Sequence, residues 1–251
     1  MTKNDHPPER LYLDFDSFFA SAEQHFNPTL RSKPVGVVAL DSPHTGCIAV
    51  SREAKVLGVK TNTPAKEARA RVPNMIFVVA RPDVYVRLHK RILDVVETVL
   101  PIQHVRSIDE VVCALLPSEG RQGLALAAKI KAALLETFSP VLTCSIGMAP
   151  TELLAKVAAE RNKPDGALLL DNSMLPDALD DLSISKLPGI GEGMVARLAA
   201  AGVTRFPDLW ALAPKQARAI WGRVEGERFL QELQGVHAPR GETQKRMFGH
   251  S

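Results

Sequence analysis

The order in which one periodicity gives way to another limits this chain more than any other feature. "RLYLDF", residues 10–15, is a short β-like run. Leu88, Ile92, Val95, Val96 and Val99 then recur at helical spacing, and Pro101 marks the stop. "IQHVRSI" and "EVVCALL" read as two strands meeting at or near Asp109, "GLALAAKIKAALLETF" as a helix, and "VLTCSIGMA" as a further strand. With residues 18 to 81 set aside, the order is strand, helix, strand, strand, helix, strand.

That βαββαβ order predicts an α+β fold: a ferredoxin-like antiparallel sheet with two helices on one face. Its first and third strands are central neighbours, so Asp14 on the first should lie close to Asp109 and Glu110 at the start of the third. The segment from 18 to 81 then becomes an insertion after the first strand, and "LDNSMLPDALDDL" opens a further, helical domain.

Three carboxylates brought to one place repel each other unless a cation accompanies them. Hard oxygen ligands favour Mg²⁺, and a pair of such ions supports phosphoryl transfer. The bland alternative, exposed acids at strand ends, suits any one of them alone, but the placement on neighbouring strands favours a shared site. Downstream, "LAKVAAERNKPDG" sets Lys156 and Lys163 two turns apart on an expected helix, where a lysine could hold the γ-phosphate of a triphosphate as a point charge. Such lysines are more often simply solvated. In "LPGIGEGMVARLAAAGV", Gly189 and Gly191 flank Ile190 in a tight hairpin and Gly202 ends the following helix. This reads as a helix-hairpin-helix, whose free backbone N–H groups can grip a DNA phosphate; an αα-hairpin with glycines only for packing is the competing reading.

Composition narrows the field. With 251 residues, 45% hydrophobic and 24% charged, the chain has enough apolar material for two or three small domains. No uncharged apolar run approaches the roughly 18 residues a membrane span needs, and "MTKNDHPPER" lacks a signal-peptide core, so a cytoplasmic protein without membrane attachment is expected. Cys47, Cys113 and Cys144 are few and far apart, which points to small core residues rather than disulfides or zinc. The net charge is only +3, yet residues 18 to 81 carry nine Lys/Arg against four Asp/Glu, a local +5. A polyanionic partner fits that excess, as does a solvated face.

Six stretches in order, "YLDFDSFFASAE", "KPVGVV", "SREAKVLGVKTNTPAKEA", "RSIDEVV", "LTCSIGMAPTELLAKVAAERNKPDG" and "LPGIG", make the chain resemble the Y-family (translesion) DNA polymerases, most closely the DNA polymerase IV group. The resemblance implies a palm (residues 1–17 and 82–170) split by fingers (18–81), a helix-hairpin-helix thumb (171–239), and at 240–251 the start of a linker to a little-finger domain beyond this chain. It implies template-directed synthesis across damaged DNA in repair. Two Mg²⁺ ions, for which Mn²⁺ can substitute, would be held by Asp14, Asp109, Glu110 and the Phe15 carbonyl. Phe18 and Phe19 would offer backbone N–H groups to the triphosphate, joined by Arg52, Lys55 and Lys163, with Phe19 as the steric gate against a 2′-hydroxyl. Gly189 and Gly191 would contact DNA. Primer-template DNA and a deoxynucleoside triphosphate are the implied partners, with a sliding clamp reached through a further C-terminal region; a monomer is expected. Asp16 matches a position that is not a metal ligand.

The chain departs from the family in two stretches. Arg52 and Lys55 stand where the fingers usually carry tyrosine and arginine, which adds a charge and gives up a planar bidentate fork. Thr151 and Glu152 replace a more usual Asn-Lys pair, putting an acid near a helix start. Two other functions compete: a polymerase-like DNA-binding accessory protein with little synthesis of its own, and a nucleotide cyclase built on a similar palm.

Overall fold

Every residue of β1 (Arg10–Phe15) after the first is buried, which requires cover on both faces and a neighbour on both edges. The computed structural model supplies both, and describes residues 7–236. The expectations for residues 1–6 and 237–251, including the linker at 240–251, lie outside the described residues.

After β1 come α1 (Phe18–Phe26), β2 (Val35–Val38), β3 (Cys47–Val50), α2 (Arg52–Val56), α3 (Ala65–Arg71), β4 (Ile76–Val79), α4 (Pro82–Glu97), β5 (Ile102–Val105) and β6 (Glu110–Ala114). Then follow α5 (Pro117–Arg121), α6 (Gly123–Thr137), β7 (Cys144–Ala149), α7 (Glu152–Arg161) and β8 (Ala167–Leu169). A second unit, beginning at Ser173, holds α8 (Glu192–Ala200), α9 (Phe206–Trp210), α10 (Pro214–Trp221) and α11 (Glu225–Leu233).

The main sheet runs β5-β6-β1-β7-β8. β1 pairs antiparallel with β6 and with β7, so the expected ferredoxin-like order is present, with the first and third strands as neighbours. One strand exceeds the expectation: β8 adds to β7 in parallel. At three residues it is too short for periodicity to distinguish it from a loop.

Leu88, Ile92 and Val96 of α4 and Ala127, Ile130 and Leu134 of α6 share one core cluster with Leu11, Leu13, Phe15, Val111, Cys113, Ile146 and Met148 of the sheet. These are the two helices expected on one face. α7, the helix expected just after the fourth of these strands, covers the other face. A Cβ on Gly147 would lie 1.9 Å from the Ala155 carbonyl oxygen and 2.4 Å from the Ala159 nitrogen, so the backbone of α7 rests directly on β7. Leu154 is fully buried there, a contribution of about 1.5–3 kcal/mol for a side chain of its size. Thr151 caps α7 by accepting the Leu154 N–H at 3.3 Å.

Within the insertion, β3, β2 and β4 form a second sheet in that order, with β2 antiparallel to β3 and parallel to β4. Val38, Val50, Ala54, Val59, Ala68, Val72 and Met75 close a separate small core with Cys47. All three cysteines are buried and free, as expected of small core residues.

In the second unit, Gly189 has φ +84° and Gly202 φ +80°, left-handed conformations that favour glycine before and after α8. A Cβ on Gly226 would stand 2.4 Å from the Ala217 carbonyl oxygen, so α10 and α11 meet at backbone contact. Among the described residues no helix is long and apolar enough to cross a membrane.

Candidate active site

Register decides where the acids meet. Asp14 on β1 pairs directly with Glu110 on β6, and the Phe15 N–H donates to the Asp109 carbonyl at 2.9 Å. Side chains directly opposite in an antiparallel pair have Cβ atoms about 5 Å apart, so residues 14 and 110 face one another as the element order predicted. β5 ends at Val105, earlier than "IQHVRSI" suggested, and 106–109 form the turn that presents Asp109.

Two lysines and a serine serve the three carboxylates, Ser107 reaching Glu110 at 3.4 Å as well as Asp109. Asp14, 6% exposed, accepts from the Lys163 ammonium at 2.8 Å. The Ser107 hydroxyl donates to Asp109, and the Lys156 ammonium to Glu110. Lys163 also pairs with Glu160 at 2.6 Å. Burial pushes the Asp14 carboxyl up to about 7, although Lys163 pulls it down. Burial also raises the Tyr12 phenol, and neighbouring Glu110 adds to the rise. Among the described residues no three acidic, histidine or cysteine side chains converge as a ready metal cage. The donor chemistry nevertheless suits a hard cation: acid oxygens on adjoining strand ends, one of them desolvated and paired with the movable Lys163 ammonium.

A cavity of about 280 Å³ opens beside these acids, lined among others by Asp14, Phe15, Phe18, Phe19, Asp109 and Lys163. α1 begins at Phe18 with no side chain capping its first turn, and Ser17, Phe18 and Phe19 at this helix start line the cavity. Phe18 is buried in the main core, while Phe19 is half-buried. Lys55 lines the same cavity. Arg52 does not; it lines a second one of about 570 Å³, to which Lys55 and Lys163 also contribute. Lys163 is not on the helix expected to carry it: α7 ends at Arg161, and the turn beyond delivers Lys163 to Asp14. Lys156 does project from α7, toward Glu110. Gly189 and Gly191 lie in the second unit, in the loop that enters α8.

Several neighbours were not read from the sequence. The Phe19 ring stacks on Tyr85 with centroids 4.6 Å apart and planes 19° from parallel. Tyr85 donates its hydroxyl to Glu23 at 2.8 Å, and Arg81 grips the same carboxylate through two nitrogens. Glu23 is 2% exposed, and an acid between Ala22 and the buried Gln24 in "FFASAEQHF" was the available signal for a buried partner. The Thr151–Glu152 departure also gains a reason: Glu152 forms a two-point bridge with Arg106, next to the Asp109 turn, and an acid in the first turn of α7 suits the helix dipole.

A sheet of this order, with acids at the ends of its two central strands and a cavity beside them, belongs to the palm class. Residues 13–160 match the impB/mucB/samB family, and the chain belongs to that Y-family of polymerases. It is 36% identical over 203 residues to the DNA polymerase IV of Moorella thermoacetica, covering 79% of this chain and 50% of that protein. It is 30% identical over 244 residues to the DNA polymerase IV of Saccharolobus solfataricus, covering 94% and 68%. A solved insertion ternary complex of Dbh DNA polymerase superposes with TM-score 0.80 at 30% identity, over 93% of this chain and 69% of that one. The chain thus spans from half to about two thirds of the length of these relatives.

Proposed function

We propose that this chain is the catalytic part of a translesion DNA polymerase, extending a primer 3′-hydroxyl with deoxynucleotides against a template, damaged templates included. The observation that carries this reading is the register of β1 and β6, which sets Asp14 opposite Glu110 with Asp109 at the adjoining turn, beside the cavity that Phe19 and Lys163 line. Support also comes from the relatives, which are DNA polymerases by name, one of them solved as a ternary complex. In this reading residues 1–17 and 82–170 are the palm, 18–81 the fingers and 171–239 the thumb.

Asp14, Asp109, Glu110 and the Phe15 carbonyl would hold two Mg²⁺ ions, which when bound supply Lewis-acid stabilisation of the charge that builds at the phosphate. The protein's own groups do the positioning. Leading N–H groups of α1 meet the triphosphate, Lys55 and Lys163 of the cavity lining offer it ammonium charge, and Phe19 lies where a 2′-hydroxyl would have to sit. Gly189 and Gly191 would give the thumb its grip on the DNA backbone. A clamp, a cytoplasmic location and a monomeric state belong to the same proposal.

Primer extension with Mg²⁺ tests it. The chain should extend a primer, and Asp109→Ala should lower the rate by at least about a hundredfold, as loss of a transition-state charge stabiliser does. Equal activity in Asp109→Ala would remove the assignment.

A further inference from the structure

Asp16 is a carboxylate that the proposed reaction leaves unused, yet it is among the most heavily engaged side chains in the first unit. Its Oδ2 accepts from the Thr143 hydroxyl at 2.8 Å and from the Asp165 backbone N–H at 2.9 Å. Its Oδ1 accepts from the Ser145 hydroxyl at 2.8 Å. Its main chain is held as well: the Asp16 N–H donates to the Thr143 carbonyl, and the Asp16 carbonyl accepts from the Ser21 hydroxyl. All three partners of the carboxylate can donate, which suits an acceptor-only group.

The Asp165 contact links Asp16 to the active site. Asp165 has φ +56°, a left-handed conformation that few residues with a side chain adopt but aspartate reaches more readily, and contacts from two sides fix it there. From the other side Lys131 donates to the Asp165 carbonyl, the Asp165 carboxylate and the Cys144 carbonyl. The turn is closed tightly: a Cβ on Gly166 would lie 1.8 Å from the Asn162 carbonyl oxygen, and the Asn162 amide donates to the Ala167 carbonyl at 3.1 Å. Two residues before Asp165, Lys163 leaves this turn to reach Asp14 at 2.8 Å. The two aspartates of "DFD" thus meet the same turn at different points.

We propose that Asp16 is a positioning residue: by fixing the turn at Asp165 it holds the Lys163 ammonium at the Asp14 end of the cavity, where the triphosphate would bind. Its catalytic meaning rests on the polymerase reading above. The geometric part, that Asp16 governs where Lys163 sits, is independent of that reading.

The test has two readouts on the whole chain. Under limiting acetylating reagent with mass-spectrometric detection, Asp16→Asn should raise the labelling of Lys163 about tenfold relative to exposed Lys129, as loss of one charge-assisted hydrogen bond would. In single-nucleotide extension with Mg²⁺, the same variant should raise KM for the deoxynucleotide about tenfold with kcat changed less, and should have no further effect in a Lys163→Ala background. Unchanged Lys163 labelling in folded Asp16→Asn would overturn the proposal. So would effects that multiply in the double variant. If Asp16→Asn fails to fold, Thr143→Val replaces it: at least about a twofold rise in Lys163 labelling supports the proposal, and no rise overturns it. A wild-type chain that does not extend primers would defeat the polymerase reading, while the labelling comparison would still judge Asp16.

Discussion

Glu23→Gln probes the support behind the candidate steric gate. The Glu23 carboxylate accepts from Arg81 Nε at 3.0 Å, from Arg81 Nη2, and from the Tyr85 hydroxyl at 2.8 Å. Glutamine keeps one acceptor and turns an NH₂ group toward the arginine, donor against donor. Hydrogen bonds to a charged group contribute about 1.5–3 kcal/mol each. The Arg81 side chain is 45% exposed and can rehydrate, so the lower part of that range applies. The expected loss is about 1.5–2 kcal/mol, and a domain of this size should melt roughly 3–8 °C earlier. Tyr85 then loses its anchor, and the ring stacked on Phe19 is free to shift. If the stacking contributes about 0.5–1.5 kcal/mol, the preference for deoxy- over ribonucleotides should fall about 2- to 13-fold. Thermal melts and single-nucleotide extension with matched ribo- and deoxynucleoside triphosphates measure the two effects. A melting temperature within about 1 °C of wild type would refute the energetic reasoning, and an unchanged sugar preference despite the expected destabilisation would refute the link to Phe19.

Two further outcomes are expected. Phe19→Ala, which removes the ring itself, should raise ribonucleotide incorporation more than Glu23→Gln does, and an unchanged ribo/deoxy ratio would withdraw its gate role. For pH, Asp14 is raised to about 7 in the folded protein from an ordinary value of 3.8, so the folded state binds this proton more tightly than the unfolded state. Its contribution to stability is therefore present at low pH and is lost as pH rises from about 4 to about 7. Metal-free protein should melt lower at pH 8 than at pH 6, Mg²⁺ should raise the melting temperature more at pH 8, and Asp14→Asn should flatten both trends. A stabilisation by Mg²⁺ that is larger at pH 6 would contradict the assignment.

Local pattern was enough for the elements that build the site. Alternation and helical spacing located β1, α4, β6 and α6 nearly to their ends, because each has an apolar face long enough to show its period. Their order then fixed β1 beside β6, and with it Asp14 beside Glu110. Pairing of side chains was decided only by tertiary structure. Glu23 meets Arg81 and Tyr85 across 58 and 62 residues, and Arg106 meets Glu152 across 46, separations that no local period records. The two-turn spacing of Lys156 and Lys163 in "LAKVAAERNKPDG" points to a place for both on α7, yet Gly166 and Asp165 close a turn that takes Lys163 off the helix and toward Asp14. The sequence by itself determined β1, α4, β6 and α6 and, through their order, that Asp14 lies beside Glu110, since backbone hydrogen bonding and apolar burial act over short stretches. Tertiary structure alone decided which cation serves which acid: ammonium and guanidinium groups on long side chains take whatever partner the packed backbone brings within about 3 Å.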